Sequence, residues 1–270
     1  MVIDFHTHIF PDQIAGNTIE LLEEKGNIKA YSDGKLLGLK QSMEESGIDL
    51  SVVLPVVTKP SQFNSINQFA AQITGKEGII SFGGIHPDCE DCEAKLEEIK
   101  RLGLLGIKLH PDYQQTYIDD PNMVCIINAA LRLGLIVVIH GGLDIGLPNP
   151  IHCTPKKAAS MLSQIDTDNS KIILAHMGGY DMWEDVEEYL VGKNIYLDTS
   201  YSLGKIPKEQ FVRIVKNHGA DRILFATDTP WGGQKETLEQ IRELDFTKEE
   251  LDCILYKNGL GLLGLKATDN

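Results

Sequence analysis

Val2-Ile3-Asp4-Phe5-His6-Thr7-His8 is a short apolar run that ends in two histidines. Side chains two apart on a strand point the same way, so His6 and His8 share one face while Phe5 and Thr7 share the other. The same pattern returns along the chain. Strand-like runs lie at 2–5, 50–55, 79–83, 106–109, 135–139, 171–175, 195–197 and 223–226. They are short and rich in Ile, Leu and Val, as expected of strands buried on both faces. Amphipathic helix-like segments at 90–102, 122–133, 155–164, 182–190, 208–217 and 236–244 separate them. Thr154-Pro155, Asp120-Pro121 and Ile206-Pro207 mark helix starts, and Gly103, Gly134 and Gly219 mark helix ends. Eight alternations at intervals of roughly 30 residues predict an α/β fold closed as a (β/α)8 barrel. An open doubly wound sheet usually has fewer strands, and no glycine-rich phosphate loop follows the first run.

No linker or low-complexity stretch divides the 270 residues, so a single domain over 1–270 is expected. Residues 10–38, with Gly16, Gly26 and Gly34, read as an excursion over the barrel mouth, and 248–264 as an extra C-terminal helix. With 39 acidic and 25 basic residues the net charge is -14. Such a surface repels phosphate backbones and anionic lipid, which argues against nucleic acid and membrane partners. There is no apolar run near the length of a membrane span, and residues 1–8 show no export signal. Five scattered cysteines suggest reduced thiols and a cytoplasmic setting. Cys89-x-x-Cys92 sits among Asp88, Glu90, Asp91 and Glu93, which disfavours a thiolate, so no redox or zinc role is expected there.

Six of the eight histidines fall at or just past strand ends: His6, His8, His86, His110, His140 and His176. Active sites of such barrels are built from those ends. A single strand-end histidine is usually structural, whereas six converging on one mouth are hard to explain by packing. His6 and His8 can share one small ion, His140 offers a third nitrogen, and Asp228 offers a carboxylate because the eighth strand closes against the first. Three histidines and a carboxylate suit Zn²⁺, or less selectively Mn²⁺, Fe²⁺ or Co²⁺. His86-Pro87 could equally serve as a turn. Tyr113, Tyr201 and Trp231 could line the pocket or simply pack.

Four stretches carry a family resemblance: Phe5-His6-Thr7-His8, Val137-Val138-Ile139-His140-Gly141-Gly142, Ile173-Leu174-Ala175-His176-Met177-Gly178-Gly179 and Ile223-Leu224-Phe225-Ala226-Thr227-Asp228-Thr229-Pro230-Trp231. With Gly106-Ile107-Lys108-Leu109-His110-Pro111, they resemble the amidohydrolase superfamily. The likeness is to its TIM-barrel metal-dependent hydrolases, the branch that includes aminocarboxymuconate-semialdehyde decarboxylase. The resemblance implies His6, His8, His140 and Asp228 as metal ligands. It makes His176 a second-metal ligand or a transition-state stabiliser, with Asp228 and His176 as the catalytic pair. Lys108 stands where two-metal members carry a bridging carboxylated lysine, or it binds substrate as a plain ammonium. His110, Tyr113, His86 and Trp231 complete the expected substrate contacts. One essential zinc, with room for a second ion, a small-molecule substrate and a homodimer are the family-level expectations.

A metal-activated water on an amide, lactone or ester is the first expected chemistry, with Asp228 moving the proton. Non-oxidative decarboxylation of a small acid is the alternative, and an inactive small-molecule-binding barrel a third reading. All five arginines (101, 132, 213, 222 and 242) lie on helices or at the N-terminal side of strands. Their absence from the strand ends favours hydrolysis and argues against a dianionic substrate.

Overall fold

The computed structural model describes residues 1–147, 149–166 and 171–266. Eight parallel strands carry the sheet: β1 (Ile3–Thr7), β2 (Leu50–Val53), β3 (Ile79–Ser81 and Gly83–Gly84), β4 (Gly106–Leu109), β5 (Ile136–Ile139), β6 (Ile172–Leu174), β7 (Tyr196–Asp198) and β8 (Ile223–Leu224). Each pairs with the next in register. The ring closes where the Phe5 N–H donates to the Phe225 carbonyl (2.9 Å) and the Asp228 N–H to the His6 carbonyl (2.8 Å). The barrel expected from the alternating runs is thus the observed architecture.

Helices cover the outside in chain order: α1 (Asp12–Gly26), α2 (Leu36–Ser46), α3 (Phe63–Ile73), α4 (Cys92–Arg101), α5 (Pro121–Arg132), α6 (Pro155–Leu162), α7 (Trp183–Tyr189), α8 (Lys208–His218) and α9 (Gln234–Arg242). The chain then runs through α10 (Lys248–Asp252), a π-helical turn (Cys253–Lys257) and α11 (Asn258–Leu263). Two apolar layers result. The larger one lies between strands and helices and includes Val53, Ile107, Leu109, Val137, Ile139 and Leu174. The smaller one fills the barrel with Ile3, Phe5, Val52, Phe82, Val138 and Leu224, and Leu260, Leu262 and Leu263 of α11 join it. None of the described helices is long and apolar enough to cross a membrane.

Phe5 departs from the simple alternation. Alternation puts it on the face opposite His6 and His8, outward toward the helices, yet its side chain joins the barrel interior and meets the Phe82 ring edge-on at 6.0 Å. The cause is a bulge in β1. Between the pairs Asp4–Ser51 and Thr7–Val53, β1 spends one residue more than β2. An extra residue flips the facing of everything after it. Phe5 therefore packs inward below, and His6 and His8 still reach the mouth above. A second irregularity interrupts β3 at Phe82, whose ring lies over Gly106; a Cβ on Gly106 would stand 2.7 Å from that ring.

Residues 10–38 do more than loop over the mouth, because they hold α1 and the start of α2. The Phe10 N–H donates to the Gly34 carbonyl (2.8 Å) and the Tyr31 N–H to the Pro230 carbonyl (2.7 Å), which ties the excursion to the end of β8.

Candidate metal centre

At the C-terminal end of β1, His8 Nδ1 lies 2.8 Å from the Leu54 carbonyl. A carbonyl only accepts, so this nitrogen carries the proton and Nε2 of the neutral ring keeps its lone pair. His6 repeats the logic, with Nδ1 2.9 Å from an Asp198 carboxylate oxygen. The two Nε2 atoms then face each other at 3.1 Å. Asp228 Oδ1 stands 3.3 Å from that of His6 and 3.2 Å from that of His8. Three lone-pair donors converge with no proton among them. Separations near 3.2 Å suit adjacent ligands on an ion held by bonds of about 2.1 Å. The donor set therefore fits a divalent metal.

Burial sharpens the electrostatics. His6 is pushed well below its usual range by burial and by the Lys108 ammonium, so its ring stays neutral and able to ligate. Burial alone would raise the Asp228 carboxyl. The surrounding imidazoles of His8, His6 and His176 outweigh it together and hold Asp228 below the usual carboxylate range. Lys108, 1% exposed, places Nζ 3.1 Å from His6 Nε2. Burial lowers it to about 8, against the pull of Asp198, Asp228 and Asp144.

A second cluster lies beside the first. His176 Nδ1 is 3.0 Å from the Ser200 carbonyl, so its Nε2 is also the lone-pair nitrogen, and it points at His140 Nδ1 (3.0 Å). His140 does not join the His6–His8–Asp228 trio. Its ring stacks on His110 (4.1 Å, 11° between planes), and these two form a separate donor group with Asp144. Burial and the neighbouring rings keep both histidines well below the ordinary range. His140 Nε2 and Asp112 Oδ2 are buried without a hydrogen-bond partner and lie 3.8 Å apart. The other Asp112 oxygen accepts from the His152 backbone (2.9 Å) and faces its Nδ1 (3.0 Å).

The backbone at these positions is strained. His176 (φ 59°), Tyr201 (φ 51°) and Asp228 (φ 67°) are in the left-handed region, which costs each of them about 1–3 kcal/mol. Trp183 Nε1 donates to the His176 carbonyl (3.2 Å) and helps hold that turn.

Both clusters open into one cavity of about 810 Å³. His6, His8, Lys108, His110, Tyr113, His140, His176, Asp228 and Trp231 all line it. His86 does not. It accepts at Nδ1 from the Asp88 N–H (3.1 Å) and closes the turn into α4, so its expected substrate contact is corrected to a turn role. Sequence reading missed Asp198, Ser200, Asp144, Asp112 and Tyr180, the last of which also lines the cavity. Asp198 follows the seventh apolar run directly and could have been found by the strand-end rule. The others sit in loops that carry no periodic signal.

A family model described as amidohydrolase matches residues 3–265. No match was found among curated proteins. Among solved structures, the chain is similar to an uncharacterised TIM-barrel protein from Bordetella bronchiseptica, at 18% identity and TM-score 0.75, over 97% of this chain and 98% of that one. It is also similar to 5-carboxyvanillate decarboxylase from Sphingomonas paucimobilis (16%, TM-score 0.69, 98% and 99%). A third is dihydroxybenzoic acid decarboxylase from Polaromonas sp. JS666, with bound manganese and the inhibitor 2-nitroresorcinol (17%, TM-score 0.72, 99% and 98%). At these identities the likenesses show a shared TIM-barrel fold.

Proposed function

This chain belongs to the amidohydrolase family, and from that premise we propose that it is a metal-dependent, non-oxidative decarboxylase of a hydroxylated aryl carboxylic acid. One observation carries the reading. The His6–His8–Asp228 donor set and the Lys108 ammonium share the floor of a cavity whose upper walls are apolar, among them Phe10, Leu22, Val56 and Trp231. Loss of carbon dioxide moves the carboxylate's charge onto the ring and releases a neutral gas, and apolar walls above a cationic floor favour that change. Two of the similar structures are decarboxylases, which gives this chemistry more support than the hydrolysis expected first from sequence.

His6, His8 and Asp228 would hold the ion, with the His140–His176 pair beside them. The bound ion would supply a Lewis-acid anchor for the substrate's carboxylate and neighbouring hydroxyl. The donors suit zinc and, less selectively, manganese, the ion of the Polaromonas protein. One ion per chain is the expected load. Two would assign a second to His140 and His176, with Lys108 carboxylated.

Lys108 pairs with the substrate carboxylate. Asp228, a carboxylate at neutral pH, takes the proton of the substrate's hydroxyl and hands it to the ring carbon that bears the carboxylate. The carbon–carbon bond then breaks and its electron pair returns to the ring. Carbon dioxide leaves, and the phenoxide is protonated by water. His176, fixed by Ser200, holds the His140 ring in place beside the ion's position.

Hydrolysis remains a second reading, favoured by the lack of arginine among the described residues lining the cavity. Incubation of the manganese-loaded protein with dihydroxybenzoates and aryl esters in oxygen-18 water separates the two. Carbon dioxide released with no label in the organic product supports the lyase; label entering the product overturns it in favour of hydrolysis.

A further inference from the structure

Above the ligand floor, two helices present facing stripes. On α1, Ile14, Thr18, Leu21, Leu22 and Lys25 line the cavity together with the terminal Gly26, and the five side chains have the spacing of a single helix face. Across the cavity, Ile66 and Phe69 of α3 do the same. A stripe of this kind normally packs on the protein body. Here α1 buries only Ala15, while Ile14 and Leu21 each remain 50% exposed at the open side of the cavity. Large exposed aliphatics grouped on one face mark a binding surface rather than scatter. The slot is continuous with the donor set, so its occupant must reach the floor.

Size points the same way. About 810 Å³ is near the top of the roughly 300–1,000 Å³ range of cavities that enclose drug-sized ligands. A one-ring acid on the floor leaves the space between α1 and α3 unfilled.

We propose that the substrate is amphipathic: an aryl acid head held at the floor, bearing an apolar alkyl chain that lies between α1 and α3. The head group rests on the decarboxylase reading; the chain rests on the slot alone. Calorimetric titration of the manganese-loaded protein with resorcinols carrying methyl, propyl and pentyl chains tests the slot without any turnover. Affinity should rise about fourfold per buried methylene. Leu21→Asp and Ile14→Asp, both at half-exposed positions, should flatten that rise, with circular dichroism checking that each variant folds. Affinity independent of chain length, or a rise that survives in both variants, overturns the proposal. Carbon dioxide release from the matching acids is measured alongside. Length-dependent binding without release would remove the decarboxylase reading and keep the slot; release without length dependence would do the reverse.

Discussion

His8 shows how little freedom a donor in this site has. Its Nδ1 is committed to the Leu54 carbonyl, so the lone pair at Nε2 can only face His6 and Asp228. His8→Ala should therefore lower metal affinity by at least about a hundredfold, and metal content per chain after dialysis measures it. His140→Ala should cost much less, within about tenfold, because its Nδ1 faces His176 rather than the trio. A loss as large as that of His8→Ala would place His140 among the primary ligands. Asp112→Asn addresses the unpartnered His140 Nε2. Losing the carboxylate beside it should weaken metal binding by less than His140→Ala does, roughly two- to threefold, read by chelator competition, while far-ultraviolet dichroism stays unchanged. The histidines and Asp228 were legible in the sequence because apolar runs place them at strand ends. Asp112 and Asp144 were not, since only the folded loops bring them to the cavity.

At the scale of elements, β1 carries more than its length suggests. Asp4, below the bulge, is fully buried between β1, the end of β8 and α9. It accepts from the Thr227 N–H (3.0 Å), the Thr227 hydroxyl (2.6 Å) and Gln234 Nε2 (2.8 Å). Burial pushes its carboxyl up to about 7. The folded state thus holds the proton more tightly than the unfolded chain, whose carboxyl titrates near 3.8. That contribution to stability is full below about pH 4, falls as pH rises towards 7, and is flat above. Thermal midpoints of the wild type should fall across this window, and Asp4→Asn should lack that part of the fall. The bulge itself could not be read from the sequence. Alternation alone sends Phe5 outward, and only the mismatch in pairing with β2 reveals the extra residue. Gly142 is similarly silent. Its φ of +83° and the Tyr180 backbone against its α-carbon exclude a side chain, so Gly142→Ala should destabilise by about 1–3 kcal/mol, seen as a lower denaturation midpoint.

For the whole molecule, the barrel was legible because the eight apolar runs recur at one interval, whereas α1 was hidden in a glycine-marked segment with no strand to frame it. Metal binding couples the site to the entire fold, since β1 and β8 supply the trio and close the ring together. A ligand at a thousand times its Kd adds about 4 kcal/mol to stability. Adding manganese should therefore raise Tm by several degrees, and a chelator should reverse it; an unchanged Tm would argue against a tight site. The excursion from Phe10 to Gly34 is stitched at its base by the Phe10–Gly34 backbone hydrogen bond and to the barrel by Tyr31–Pro230, and it branches from the chain just after His8. It behaves as a replaceable cassette. Exchanging this segment between related barrels should re-cut what the enzyme admits while the reaction centre is inherited intact, a division that lets selection, or a designer, change diet without relearning chemistry.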